Sequence, residues 1–158
     1  MRGSPGGGPE SVRVAVRRLP HARGLALPQY ASAGSVGLDL RAAIEGEETI
    51  EPGGRALVPT GLVLELPPGW EGQVRPRSGL AVEHGVTVLN SPGTIDSDYR
   101  GEVRVALVNL GSAPVTLRRG ERIAQLVVSP AARAVLEERE RLQPSGRGEG
   151  GFGSTGRE

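Results

Sequence analysis

The sequence predicts an all-β protein: a jelly-roll-like sandwich or barrel subunit with a flexible Gly-rich C-terminal arm. Three observations carry this. The 25 Gly and 13 Pro cut 158 residues into short pieces. Between those breaks, apolar residues recur mostly at period two, the spacing of a strand with one buried face. Stretches with helical character are scarce, and many short strands at regular turn spacing read as a sandwich, barrel or jelly roll.

The elements follow in order. Residues 1–11 open on MRGSPGGGPE, small, polar and aperiodic, and are expected to form a disordered arm. Val12, Val14 and Val16 alternate with Arg13, Ala15 and Arg17, the pattern of a half-buried strand. Further strands are expected over 37–42, 55–58, 62–66, 71–75, 86–89, 102–110, 114–117 and 122–128. Pro52-Gly53-Gly54, Pro67-Pro68-Gly69 and Pro92-Gly93 are the turn signals among them. A short helix over 79–84, starting after Ser78, would turn backbone N–H groups toward an anion beside Arg77. Residues 131–142, AARAVLEERERL, have two readings. Their propensity is helical, yet Val135, Glu137 and Arg139 could share one face of an edge strand. One domain over 12–144 and a C-terminal arm over 145–158 complete the organisation, at about 150 residues per domain.

Composition removes several function classes. With no Cys, thiolate zinc sites, disulfide frameworks and cysteine nucleophiles are excluded. His21 and His84 are too few for a His-rich metal site. All 19 basic side chains are Arg, so neither a P-loop lysine nor a Schiff-base lysine is available. Against 18 acidic side chains this leaves a net charge of +1, without the basic footprint of a nucleic-acid binder. No apolar run spans a membrane, and a soluble, cytoplasmic protein is expected.

Rare side chains mark five segments. Asp39, in GSVGLDL, faces away from Leu38 and Leu40; it is either part of a solvated strand face or a carboxylate for a hard cation. In PRSGLA, Arg77 offers a bidentate fork, Ser78 a hydroxyl and Gly79 an open N–H, all suited to phosphate oxygens. In NSPGTIDSDYRGE, Asp96, Asp98 and Tyr99 stand near Asn90, whose amide both donates and accepts, as reading a pyrimidine edge requires. A carboxylate there can orient a water, though acidic residues in turns are often only turn formers. In RGERIAQL, Gln125 shares a face with Ile123 and Val127, so its amide needs a structural partner or a ligand. Last, RGEGGFGSTG holds Phe152, the single Phe of the chain, among glycines. A flexible tail is one reading; a phosphate wrap in which Phe152 stacks on a base is the other.

Taken in that order, PRSGLA, GTIDSDYRGE, GERIAQL and RGEGGFGSTG resemble the trimeric dUTP pyrophosphatases (dUTPases), from about Val12 to the C-terminus. The resemblance implies a jelly-roll subunit, a homotrimer with sites at subunit boundaries, and Mg²⁺-dependent hydrolysis of dUTP to dUMP and pyrophosphate. It implies that Asp96 activates the attacking water, and that Asp39 assists Mg²⁺ through metal-bound water. Arg77, Ser78, Gly79 and Gln125 would hold phosphate oxygens, while Asn90 and the backbone around Thr94 and Ile95 would read uracil. Tyr99 would pack on the deoxyribose and Arg104 would contact substrate through its backbone. From the arm, now read as a lid over 145–158, Arg147 would neutralise developing phosphate charge. Phe152 would cover uracil, Ser154 and Thr155 would bind the γ-phosphate, and Gly153 would be among the substrate-binding residues. Val36 stands where Ala is usual, and Leu38 where an aromatic is common. The family pattern also makes part of 131–142 a strand leading to the lid.

Two alternatives are kept open by the residues. The related dCTP deaminases share the fold, but typically read RSS where this chain has Arg77-Ser78-Gly79. A non-catalytic nucleotide-binding protein would need neither Asp96 nor the arm.

Overall fold

The computed structural model describes residues 11–151, and the expected N-terminal arm up to residue 10 lies outside them. In chain order the strands are β1 (Ala15–Arg18), β2 (Leu38–Arg41), β3 (Glu47–Ile50), β4 (Arg55–Glu65), β5 (Trp70–Arg75), β6 (Val86–Val88), β7 (Gly93–Ile95), β8 (Glu102–Asn109), β9 (Val115–Arg118) and β10 (Arg122–Pro130). One α-helix, α1 (Ser78–His84), and a 3₁₀ turn at Pro20–Ala22 complete the elements among the described residues.

Two four-stranded antiparallel sheets, ordered β1-β4-β8-β6 and β2-β10-β5-β7, are joined by the two-stranded pair β3-β9. Among the described residues no sheet closes into a barrel, so of the expected forms the sandwich is the one adopted. One apolar core joins all three sheets: Val58, Leu64, Val105 and Leu107 meet Leu40, Val74, Ile95 and Leu126, with Ile50 and Leu117 from the third. Leu40, Ile50, Leu107 and Leu117 are fully buried, and each such side chain contributes roughly 1.5–3 kcal/mol. Asn109, also fully buried, donates to the Ile50 and Ala113 carbonyls at 2.8 Å and accepts from the Gly111 N–H at 2.9 Å, which makes it structural.

Several sequence expectations need correction. The stretches 55–58 and 62–66 are one strand, β4, whose register on β8 slips between Pro59 and Leu62. Gly61 takes φ +65° at the slip, a conformation that favours glycine. β3 was not expected, because three of its four residues, EET, are exposed and carry no period-two signal. β7 begins on the Gly of a Pro-Gly turn signal and runs only three residues. In β1 all four residues are exposed; Val12 and Val14 before it are half-buried, and Val14 packs on the core.

Residues 131–142 form neither the helix of their propensity nor the strand of the family pattern. Beyond the Ala131 N–H, which donates to the Gly69 carbonyl at 2.8 Å, no described strand lies alongside to take their hydrogen bonds. Val135 and Leu136 are 88% and 93% exposed, so no apolar stripe is buried. A helix of that length without tertiary contacts is marginal in water.

Candidate active site

The site grows from two local structures. Gly93, buried against Val74, starts β7 on the edge of β5, and the chain leaves at Ile95 into the turn closed by Tyr99 N–H donating to the Asp96 carbonyl at 3.1 Å. That turn carries Asp96 and Tyr99 out of the sheet beside the start of β8. A cleft of about 330 Å³ results, lined by Asn90, Thr94, Ile95, Asp96, Tyr99, Glu102 and Arg104, with Leu57, Val74 and Val103 as apolar walls. Asn90 lies over Gly93, where a Cβ would stand 3.2 Å from its amide nitrogen. Asp96 is exposed, and among the described residues no cation lies within ion-pair range of its carboxylate. Asp98 lies outside this cleft.

The second local structure follows β5. Arg77 is the extended N-cap of α1, whose Ser78 and Gly79 are exposed; Gly85 in the left-handed region ends the helix. The expected helix is therefore present, one residue earlier at its start. Arg77 and Arg122 approach Asp39 from two sides, Arg77 Nε at 3.1 Å from Oδ1 and Arg122 Nη1 at 3.1 Å from Oδ2. Arg77 also donates to the Arg122 carbonyl at 3.2 Å. Gln125 donates its amide to the Pro76 carbonyl at 2.9 Å. Arg77 and Arg122, with Arg41 and Arg118, line a cleft of about 580 Å³ between α1 and β9. Its guanidinium groups suit polyanionic oxygen.

The two clefts share no lining residue. Asn90, Thr94, Ile95, Asp96, Tyr99 and Arg104 come together in one. Arg77 lines the other; Asp39 pairs with it, Ser78 and Gly79 follow it in the chain and Gln125 bonds the Pro76 carbonyl before it, but none of these four lines either cleft. Arg147 reaches neither cleft; its Nε donates to the Gly150 carbonyl at 2.6 Å in an exposed turn. Phe152, Gly153, Ser154 and Thr155 lie outside the described residues.

Arg122 and Glu102 were not expected among the site residues. Arg122 stands three residues before Gln125, and its charge at the start of that segment was the available signal. Glu102 follows Tyr99 closely, but its partner His21 is 81 residues away, and no spacing rule joins them. Burial alone would raise the Glu102 carboxyl; the hydrogen bonds from His21, the Gly61 N–H and Arg104, with the charge of His21, hold it below its ordinary value.

This all-β sandwich with its two separate clefts has close parallels. The dUTPase family model matches residues 24–156. The chain is 61% identical over 149 residues to the deoxyuridine 5'-triphosphate nucleotidohydrolase of Methylocella silvestris, covering 93% of each chain. It is 59% identical over 141 residues to that of Rhizobium meliloti, covering 88% of each. The fold matches the Staphylococcus bacteriophage 80alpha dUTPase with dUpNHpp at TM-score 0.81 and 24% identity, over 91% of this chain and 98% of the other. A mutant dUTPase of S. aureus phage phi11, described as coordinating a structural Mg(II) ion, matches at TM-score 0.72 and 20% identity, over 82% and 97%. The chain belongs to the dUTPase family.

Proposed function

We propose that this chain is a dUTP diphosphatase: it cleaves dUTP with one water to dUMP and pyrophosphate, limiting uracil in DNA and supplying the precursor of dTMP. The observation that carries this reading is the cleft that gathers Asn90, Thr94, Ile95, Asp96, Tyr99 and Arg104. Its apolar walls suit a planar pyrimidine, and Asn90 offers a donor and an acceptor to the base edge. The Asp96 carboxylate, without an ion-pair partner among the described residues, accepts a proton from the water that attacks the α-phosphorus, with pyrophosphate leaving on the far side. Tyr99 packs on the deoxyribose, and Arg104 meets substrate through its backbone. Arg77, Ser78, Gly79 and Gln125 hold phosphate oxygens, so in-line geometry is imposed by positioning and charge.

The separate lining of the two clefts supports a shared site. Within one chain, Asp96 and Arg77 line different clefts, so a second copy would join the base-reading cleft to a phosphate-holding one, as in a homotrimer. Residues 145–158 act as the lid: Arg147 neutralises phosphate charge, Phe152 covers uracil, Ser154 and Thr155 take the γ-phosphate, and Gly153 is among the substrate-binding residues. Closure excludes water other than the nucleophile.

The residues fit Mg²⁺ carried by the nucleotide. Among the described residues no three carboxylate or imidazole groups cluster as a metal cage, and this ion is commonly held by substrate phosphates plus one or two carboxylates. Asp39 would reach it through water, its oxygens keeping lone pairs beyond those facing Arg77 and Arg122. When bound, Mg²⁺ supplies neutralisation of the triphosphate and of the leaving pyrophosphate.

The test is pyrophosphate release from dUTP, dTTP, dCTP and UTP, each with Mg²⁺ and with a chelator. Metal-dependent release from dUTP alone is expected. Ammonia from dCTP would favour a deaminase, and binding without release would favour a nucleotide-binding protein.

A further inference from the structure

Tyr99, expected to pack on the sugar, and Arg104, expected to meet substrate through its backbone, are both tied to one residue between them. The Tyr99 hydroxyl donates to the Glu102 carbonyl at 3.0 Å, and Arg104 Nε donates to Glu102 Oε2 at 3.2 Å. Gly101 allows the first contact, since a Cβ there would overlap Tyr99 Oη and stand 2.8 Å from its Cε2. The Glu102 side chain is only 10% exposed, so its carboxylate needs donors. Oε1 receives the His21 Nε2 at 2.6 Å and the Gly61 N–H at 2.8 Å. Because the carboxylate only accepts, His21 Nε2 carries the proton in this pair.

The support behind Glu102 is continuous. His21 sits in the 3₁₀ turn Pro20–Ala22, which Leu19 N–H fastens to the Gly61 carbonyl at 2.8 Å. Ala22 fills the space beside Gly61, where a Cβ would lie 3.2 Å from the Ala22 Cα. Thr60 Oγ1 donates to the Val103 carbonyl at 2.6 Å. The register slip of β4 thus frees the Gly61 N–H from the ladder and turns it onto Glu102.

We infer that Glu102 is a positioning residue for the sugar end of the nucleotide cleft, with His21 as its anchor, so that sugar discrimination depends on a pair outside the expected site residues. The inference rests on the dUTP reading above. With Glu102 clamped, the Tyr99 ring cannot recede, and a 2′-hydroxyl meets a fixed wall. With the clamp loosened, the wall yields and the ribonucleotide is admitted.

The experiment measures kcat and KM for dUTP and UTP with Mg²⁺, alongside melting temperature, in the full chain and in Glu102→Gln, His21→Ala and His21→Gln. Glu102→Gln is expected to raise KM for dUTP and narrow the dUTP-to-UTP ratio, each by about tenfold, as loss of a charge-assisted hydrogen bond would do, with kcat changing less. His21→Ala moves in the same direction, and His21→Gln, which keeps an N–H donor, returns toward wild type. Because His21 is partly exposed, its two variants keep the test decisive if Glu102→Gln does not fold. A wild-type ratio in His21→Ala overturns the proposal. So does a loss that falls equally on dUTP and UTP and follows the melting temperature, which is the mark of a buttress alone. A parent chain that hydrolyses no dUTP fails the reading beneath and takes this inference with it, whereas an active parent isolates failure to the Glu102–His21 pair.

Discussion

Gly37 and Gln125 contend for one space: a Cβ on Gly37 would overlap the Gln125 side-chain oxygen and lie 2.9 Å from its Cδ and 3.2 Å from its Cβ. The glycine before β2 is therefore a condition for the Gln125 rotamer that donates to the Pro76 carbonyl, just ahead of Arg77. The demand is for space, not for an unusual backbone angle. Gly37→Ala should rotate Gln125 out of that bond and loosen the approach to Arg77. Its kcat/KM for dUTP should fall by about tenfold, while the lost neutral hydrogen bond costs about 1 kcal/mol of stability. Steady-state kinetics and thermal melting check both; unchanged kinetics would separate Gln125 from the phosphate-holding cluster.

Asp96 makes a sharper case. It is exposed at the cleft, with no ion-pair partner among the described residues, while Asp39 faces two arginines, so Asp96 is the carboxylate proposed to take the proton. Asp96→Asn keeps the size and the hydrogen-bonding shape but loses the basicity. Turnover should drop by about 10²–10⁴-fold, with affinity for a non-hydrolysable dUTP analogue nearly unchanged. Single-turnover kinetics and calorimetry measure the two quantities. An Asn variant with parental kcat would remove Asp96 as the base.

What the sequence makes legible follows contact range. Asn90 through Arg104 lie within one short stretch, so a turn signal and a few polar residues suffice to assemble the first cleft on paper. α1 is legible for the same reason, with its extended cap at Arg77 and left-handed Gly85 at its end. β3 is not, because Glu47, Glu48 and Thr49 face solvent and only Ile50 is buried. The triad Asp39, Arg77 and Arg122 draws on three segments, and the sequence offers each residue without saying that the carboxylate is shared. His21 and Glu102 are the extreme case: two ordinary polar residues become a partly buried pair where β4 slips its register at Gly61. The helix propensity of 131–142 misleads because propensity is weak beside the absence of any surface to cover.

The arm offers a prediction of contrast. Its described part, 145–151, is mostly exposed, and among the described residues Arg147 bonds within its own turn, so the core gains little from that part. Removing residues 145–158 should shift the melting temperature by no more than about 2 °C. Turnover of dUTP should nevertheless fall by at least about 10²-fold, because closure over the nucleotide is lost. Full activity in the truncated chain would refute the lid, and a large melting shift would make the arm part of the fold.

The Glu102 carboxyl supplies a pH signature. Burial pushes it up, but the hydrogen bonds from His21, Gly61 N–H and Arg104 and the His21 charge together bring it below its ordinary value of 4.5. A carboxyl depressed in the folded protein is protonated first in the unfolded chain, so acid favours unfolding. Its stabilising contribution is complete above the unfolded-chain value and drains away as pH falls through the folded one. Glu102→Gln has no such titration. The melting temperature of the parent should therefore exceed that of the variant at pH 7 and approach it as the pH drops below about 4.5. Thermal melts of both proteins from neutral to acid pH make the comparison, and a gap that stays constant across that range would mean that the Glu102 charge contributes nothing to the fold.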